Sequence, residues 1–275
     1  MTSCETRLRD QLPNLSIDFE PLPTPTRVGL LSYQIAAKAM KKAFKQEQSI
    51  VSVDRLFALF LKQESTSDEL LQCAIDTVDS LNPDPATIQA MQIQLTAFLT
   101  RNGFDTIQEF EDFVDTVFGG FGYFVSLLFQ DEPHIHQLRP LFVEVAKAIG
   151  VSRTLREVHE DVANGFVMLP KELMTSLGVD VDALRGQKVN EGFAQLINRL
   201  IEEARRRYQT FYSKLDLVPK DAQIALLRFV KIQEAILDEI IWNRYDCLNT
   251  GLVVSPLRQQ FIRFRAKRMI KRMTR

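Results

Sequence analysis

The chain has 275 residues, 45% of them hydrophobic, which is enough for one large core or two small domains. Its formal net charge is -1, so no global positive field attracts nucleic acid, and a basic partner surface has to be local. No apolar run reaches the roughly 18 residues of a membrane span, and the charged N-terminus predicts no secretory leader.

The cysteines, Cys4, Cys73 and Cys247, are odd in number and form no CxxC pair. We therefore expect reduced thiols and a cytoplasmic protein.

The first 26 residues are rich in proline, with Pro13, Pro21, Pro23 and Pro25. Proline lacks a backbone N–H group and disfavours the helical conformation in the residue before it. The sequence therefore predicts an extended N-terminal arm over residues 1–26.

Apolar residues recur with a helical period over residues 27–254, and no convincing alternating strand pattern occurs there. Thr106, with Glu109 three residues later, has the pattern of a helix capping box. Residues 165–190 are rich in loop signals. We predict a single all-α domain over 27–254, with helices near residues 30–44, 56–61, 70–78, 87–100, 106–129, 141–164, 190–215 and 221–245.

Three carboxylates are spaced so that they share one face of the predicted helix 141–164. Glu157, Glu160 and Asp161 fall at positions i, i+3 and i+4, about one helical turn apart. Such oxygen ligands suit Mg²⁺, which binds one or two carboxylates together with substrate phosphates. An acidic, solvated helix face is the alternative interpretation, and the spacing alone favours it.

The residues around these carboxylates carry a more specific pattern. Leu155-Arg156-Glu157-Val158 is followed by Glu160-Asp161, then by Gly165, and then by Leu169-Pro170-Lys171-Glu172-Leu173. This order resembles the second aspartate-rich motif of the squalene/phytoene synthase family, approximately N-I-L-R-D-V-x-E-D-x-x-x-G-R-x-Y-L-P-x-E. Weaker similarity extends over residues 70–258.

The resemblance implies an all-α, isoprenoid-synthase-like helical bundle around a central cavity. Family members join two prenyl diphosphates head to head, and two aspartate-rich helices hold Mg²⁺ on the diphosphates. Carried over to this chain, the resemblance implies Mg²⁺ ligands at Glu157, Glu160 and Asp161. It places Arg156 and Lys171 at the substrate, a prenyl diphosphate or a related lipid.

Several family residues are changed in ways that bear on the chemistry. The family's first motif, D-D-x-x-D, should lie near residues 30–45, but that stretch contains no acidic residue. The resemblance places Phe113 and Met168 at tyrosine positions of the family. It places Phe166 at an arginine position and Arg153 at an asparagine position. Lysines stand in the first-motif region instead, and they could hold diphosphate as point charges. We favour solvated lysines on the outside of a helix: Lys38, Lys41, Lys42 and Lys45.

The C-terminal residues 255–275 contain no acidic residue and interleave basic with apolar side chains. They predict a basic amphipathic helix that could lie on an anionic membrane surface, bind another acidic partner or be a solvated tail. Membrane contact would place the protein peripherally at the inner face of the membrane.

Three functional hypotheses remain open. We favour a protein of isoprenoid or carotenoid lipid metabolism in which the head-to-head condensation is impaired or lost, because the first aspartate-rich motif is absent. The second hypothesis is an active, Mg²⁺-dependent prenyltransferase that condenses farnesyl or geranylgeranyl diphosphate. The third is a helical membrane-surface interaction or assembly protein.

Overall fold

The computed structural model of the chain describes residues 3–249 and 251–273. Within these residues the structure is helical, and no β-strand occurs apart from one isolated bridge between Phe104 and Pro170. The all-α prediction is confirmed. The helices are α1 (Ser3–Gln11), α2 (Pro13–Phe19), α3 (Thr24–Lys41), α4 (Ile50–Phe60), α5 (Glu69–Asp79), α6 (Pro85–Arg101), α7 (Ile107–Phe113), α8 (Gly119–Leu127), α9 (Ile135–Ala163), α10 (Lys171–Ser176), α11 (Val181–Arg185), α12 (Glu191–Ser213), α13 (Lys220–Trp242) and α14 (Pro256–Met273).

Helix α9 lies at the centre of the bundle and packs against α8, α12 and α13. Helix α3 packs along α5 and also contacts α8. Gly122 allows α8 to approach α9 closely, because a Cβ atom there would lie 2.4 Å from the backbone oxygen of Phe142. The predicted capping box is confirmed, since Thr106 and Glu109 each accept a hydrogen bond from the other's backbone N–H at the start of α7.

Two helices end in short π-helical turns. Residues Lys42–Gln46 continue α3 in this form, and residues Val114–Phe118 join α7 to α8. π-Helical turns are rare and occur often at functional sites. Here both adjoin the cluster of phenylalanine rings described below.

The predicted N-terminal arm is not extended. Residues 3–19 form α1 and α2, and they bury Leu8 and Phe19 completely. The prolines explain the difference, because Pro13 and Pro25 stand in the first turns of α2 and α3. Proline fits the first turn of a helix, where its missing N–H group has no intrahelical partner to lose.

The thiols also differ from the expectation. Cys4 of α1 and Cys73 of α5 form a disulfide, with their Cα atoms 5.9 Å apart, whereas Cys247 is free and buried. The sequence spacing gave no sign of this pair, because only the packing of α1 on α5 brings together residues 69 positions apart. No helix in the described residues is both long and apolar enough to cross a membrane.

Candidate functional site

The acidic turn of α9 faces the end of α3. Glu157, Glu160 and Asp161 share one face of α9, as their spacing predicts, and lysines of α3 and its π-helical turn lie opposite them. Helix α9 ends directly after this turn because Gly165 adopts a left-handed conformation with φ of 73°, which glycine tolerates without strain. The glycine of the recognised motif therefore terminates the helix that carries the acids.

Two lysines bridge all three carboxylates. The Lys45 ammonium lies 2.6 Å from Asp161 Oδ2 and 2.9 Å from Glu157 Oε2. The Lys41 ammonium lies 3.0 Å from Glu160 Oε2 and 3.2 Å from Glu157 Oε1. We call these five residues the lysine–carboxylate network. The side chains of Lys45 and Glu157 are each only 11% exposed, so water screens their attraction weakly.

The network shifts the pKa values of two of its acids in opposite directions. Burial alone would raise the pKa of Glu157, but the charges of Lys45, Lys41 and Arg156 outweigh it and lower the pKa to about 2. Burial dominates at Asp161 and raises its pKa to about 6, although Lys45 acts against this rise. Near neutral pH, Glu157 is therefore firmly ionised, and Asp161 titrates closest to physiological pH.

The interpretation of the four lysines as solvated is wrong for two of them. Lys41 and Lys45 point into the network, whereas Lys42 is 69% exposed and Lys38 is exposed. The segment Lys41-Lys42-Ala43-Phe44-Lys45 places lysines at the spacing of D-D-x-x-D, with the opposite charge, in the stretch where the resemblance places the first motif. That spacing was visible in the sequence and could have identified the lysines as residues of the site.

The side chains opposite α9 do not fit a two-sided Mg²⁺ site. Such a site needs oxygen ligands from both helices, and the facing positions supply ammonium groups, which cannot coordinate a cation. Within residues 3–249 and 251–273, no group of three or more His, Cys, Asp or Glu side chains is arranged to hold a metal ion. The assignment of Glu157, Glu160 and Asp161 as Mg²⁺ ligands remains a prediction.

Two arginines of α9 add further positive charge beside the network. Arg156 donates a hydrogen bond of 2.8 Å to Glu157 Oε1. Arg153 donates bonds of 3.2 Å to the side-chain oxygens of Gln34 on α3 and Gln233 on α13. Burial, reinforced by the neighbouring Arg156, lowers the pKa of Arg153 to about 10. At a position where the family has asparagine, this chain thus carries a fixed cation.

Phenylalanine rings fill the interior next to the network. Phe44 lies between the two network lysines in sequence, and its ring centroid is 5.2 Å from that of Phe98, 5.8 Å from Phe113 and 5.1 Å from Phe166. Phe113 and Phe166 are each 1% exposed, which leaves no solvent-filled space around them. Phe113 and Phe166, at positions where the resemblance implies polar residues, therefore belong to a tightly packed aromatic cluster.

Lys171 lies apart from these contacts. Its ammonium is 2.8 Å from Asp105 Oδ1, and this ion pair lowers the pKa of Asp105. The neighbouring Glu172 accepts a hydrogen bond of 2.8 Å from the backbone N–H of Ile107, at the start of α7. In this structure the Pro-Lys-Glu sequence joins α10 to α7, and a substrate-binding role for Lys171 remains a prediction.

An apolar cavity lies among α3, α4, α5, α6 and α8. It encloses about 30 Å³ and is lined by residues that include Tyr33, Met40, Phe57, Met91 and Phe124. Pockets for drug-sized ligands are roughly ten or more times larger. A prenyl chain could enter this part of the bundle only if these side chains moved.

The comparisons with known proteins agree with the resemblance. The family model described as squalene/phytoene synthase matches residues 34–259. The phytoene synthase of Thermus thermophilus is 30% identical over 106 residues, covering 38% of this chain and 36% of that protein. The phytoene synthase of Arthrospira platensis is 26% identical over 187 residues, covering 62% of this chain and 60% of that protein. The chain thus matches less than two thirds of the length of either relative.

Solved structures share the fold over nearly the whole chain. A dehydrosqualene synthase crystallised in complex with ligand superposes with a TM-score of 0.82 and 18% identity, covering 98% of this chain and 95% of the other. The squalene synthase HpnC of Alicyclobacillus acidocaldarius gives a TM-score of 0.70 and 17% identity, covering 88% and 93%. At these identities, the likeness demonstrates a common helical architecture.

Proposed function

The chain belongs to the squalene/phytoene synthase family of isoprenoid enzymes, and we propose that it has lost the Mg²⁺-dependent, head-to-head condensation of prenyl diphosphates. One observation carries this proposal: Lys41 and Lys45, in the stretch where the resemblance places the first aspartate-rich motif, bind Glu157, Glu160 and Asp161.

The physical reason concerns the charge of the leaving group. Ionisation of an allylic diphosphate needs cations placed on the departing oxygens, in a site that excludes water. Mg²⁺ supplies that charge when carboxylates hold it. Here each carboxylate already has an ammonium partner within 3.0 Å. Mg²⁺ would have to displace the lysines, and the ammonium groups would repel it.

An active prenyltransferase is the alternative that this proposal has to exclude. In that case Glu157, Glu160 and Asp161 would hold a single Mg²⁺, and Arg156 and Lys171 would contact the diphosphate. The carboxylates lie on one helix, so they would hold the ion from one side.

The test is the binding of farnesyl and geranylgeranyl diphosphate to the purified chain, with Mg²⁺ and with a chelator, followed by extraction of products. We expect no Mg²⁺-dependent binding and no condensed hydrocarbon, and we expect Asp161→Ala to behave like the wild type. Mg²⁺-dependent binding with a condensed product that Asp161→Ala abolishes would overturn the proposal.

We also propose that α14 contacts an anionic lipid surface at the inner face of the membrane. Its inner side packs on the protein through Ile262, Ala266 and Ile270, and Arg258 is 2.7 Å from Asp238 of α13. Its outer side leaves apolar side chains in solvent, with Leu257 80%, Phe261 58% and Phe264 57% exposed.

Positive charge accompanies these exposed apolar residues. Arg265 lies 5.6 Å from the centre of the Phe261 ring, and Arg268 lies 5.8 Å from that of Phe264. Aromatic rings beside cations suit the boundary between acyl chains and anionic headgroups, and each basic residue near such a surface contributes about 1 kcal/mol.

Flotation with vesicles tests this contact. We expect the chain to float with vesicles of phosphatidylglycerol and phosphatidylcholine, to bind pure phosphatidylcholine less, and to dissociate as salt is raised. Phe261→Ser with Phe264→Ser should abolish flotation. Val51→Ser with Ile93→Ser is the matched control, because it removes two apolar residues that are 76% and 66% exposed elsewhere. Equal flotation of both variants would contradict the proposal.

A further inference from the structure

The disulfide between Cys4 and Cys73 is a covalent cross-link, in addition to the backbone, between the N-terminal segment, residues 3–19, and α5. Cys4 is on α1 and Cys73 is on α5, and both residues are partly exposed. Cys247 differs, because it is 0% exposed, and burial raises the pKa of its thiol to about 12. The chain therefore carries one accessible cysteine pair and one inert thiol.

Noncovalent contacts also hold the N-terminal segment on the bundle. Helix α1 has nine residues, and helices this short are marginal without tertiary contacts. It packs on α3 and α5, where Leu8 is fully buried and Glu5 lies 2.7 Å from Arg27 of α3. Arg7 also pairs with Glu69, in the first turn of α5. Helix α1 is thus held by the buried side chain of Leu8, by the ion pair between the buried Glu5 and Arg27, and by the disulfide.

The segment reaches two functional elements. The Lys38 ammonium of α3 donates a hydrogen bond of 3.3 Å to the carbonyl oxygen of Gln11, at the end of α1, one turn before Lys41 of the lysine–carboxylate network. On α2, Asp18 accepts a hydrogen bond of 2.6 Å from Arg263 of α14. The position of residues 3–19 is therefore coupled to both the network helix and the proposed membrane helix.

We infer that Cys4 and Cys73 form a reversible redox clasp: the oxidised pair cross-links residues 3–19 to α5, and reduction removes this cross-link, so that the segment opens from α3 and α14 more often. In the cytoplasm, the compartment that the cysteine pattern predicts, disulfides are in most cases transient or redox-sensing, and a partly exposed pair is open to exchange. The inference is independent of the fate of the condensation chemistry.

The exchange partner is a dithiol protein of the thioredoxin class. Its thiolate attacks one sulfur of the Cys4–Cys73 bond, forming a mixed disulfide and releasing the other sulfur as a thiolate. The partner's second thiol then resolves the mixed disulfide. Two electrons pass to the chain, the partner ends as a disulfide, and Cys4 and Cys73 each end with a proton.

Counting thiols tests whether the clasp forms and opens. The full chain is equilibrated with glutathione disulfide or with reduced thioredoxin, denatured, and labelled with a maleimide of known mass. We expect one label after oxidation, on Cys247, and three after reduction. Cys4→Ser should give two labels after reduction, and after oxidation its unpaired Cys73 should either be labelled or carry the mass of one glutathione, whereas the oxidised wild type should carry no glutathione. Cys247→Ser should give no label after oxidation and two after reduction. Three labels after oxidation of the wild type would refute the clasp.

Hydrogen exchange tests whether reduction releases the segment. We expect the amides of residues 3–19 to exchange at least tenfold faster in the reduced wild type, while those of α9 do not change. The Cys4→Ser with Cys73→Ser variant should match the reduced wild type in either buffer. Equal protection of residues 3–19 in both redox states would show a static cross-link and overturn the inference.

Discussion

Among the residues of the network, Glu157 has the most cations around it, namely Lys41, Lys45 and Arg156. Its pKa of about 2 in the folded state is below the ordinary value of 4.5, so ionisation of Glu157 favours folding. This contribution, about 3 kcal/mol, is complete above pH 4.5 and is lost as the pH falls towards 2. The raised pKa of Asp161 has the opposite sign, because its contribution is complete below pH 3.8 and is lost as the pH rises through about 6.

Glu157→Gln should therefore flatten the acid limb of the stability profile. We expect the variant to be less stable than the wild type at pH 6 and to approach it near pH 2.5, as measured by urea unfolding. Glu160→Gln is the matched control, because it removes a carboxylate that is half exposed and contacts a single lysine. A pH-independent difference between Glu157→Gln and the wild type would contradict the prediction.

Lys45 supplies the cation for two buried carboxylates, so its loss should be costly. Lys45→Met keeps the length of the side chain but removes the cation 2.6 Å from Asp161 and one of the three cations around Glu157. We expect a loss of about 3–5 kcal/mol in the free energy of unfolding, the usual cost of breaking a buried ion pair from one side. Lys42→Met, on the exposed face, should change it by less than about 0.5 kcal/mol. If Lys45→Met lowered the free energy of unfolding no more than Lys42→Met does, the network would add no stability.

At the scale of helices, the positive charges that face the carboxylates of α9 can be replaced by negative ones. Lys41→Asp with Lys45→Asp would place carboxylates on both helices, so we expect low stability without metal and a rise in Tm with Mg²⁺ or Mn²⁺. Lys38→Asp with Lys42→Asp makes the same charge change on exposed positions and should show no metal-dependent rise. If Mg²⁺ raised the Tm of the wild type as much as that of Lys41→Asp with Lys45→Asp, the lysines would not exclude the ion.

The sequence predicted those elements whose signals are local. Helical periodicity located the eight principal helices, and Thr106 with Glu109 marked the start of α7. The shared face of Glu157, Glu160 and Asp161 also followed from spacing on one helix. The contacts of Lys41 and Lys45 with these carboxylates did not follow from the sequence. Packing between elements distant in sequence decides which face of α3 meets α9. The N-terminal helices were missed because prolines in first turns look like prolines in an extended arm.

At the scale of the whole molecule, one buried ion pair joins the two ends of the chain. Asp18 on α2 has a side chain only 3% exposed, and Arg263 on α14 lies 2.6 Å from it. The carboxylate in turn raises the pKa of Arg263. Because α14 otherwise rests mainly on α13, this pair ties the C-terminal helix to the N-terminal segment.

Arg263→Leu should loosen both ends together, since it leaves the Asp18 carboxylate buried without a cation. We expect faster hydrogen exchange in α2 and α14, with α9 and α12 unchanged, and a loss of about 3 kcal/mol or more if the ends unfold with the core. Arg265→Leu removes the same charge from an exposed position of the same helix and should leave exchange in α2 unchanged. If α14 loosened while α2 kept its protection, the two ends would be held independently, and reduction of the clasp could not be transmitted to α14 through this pair.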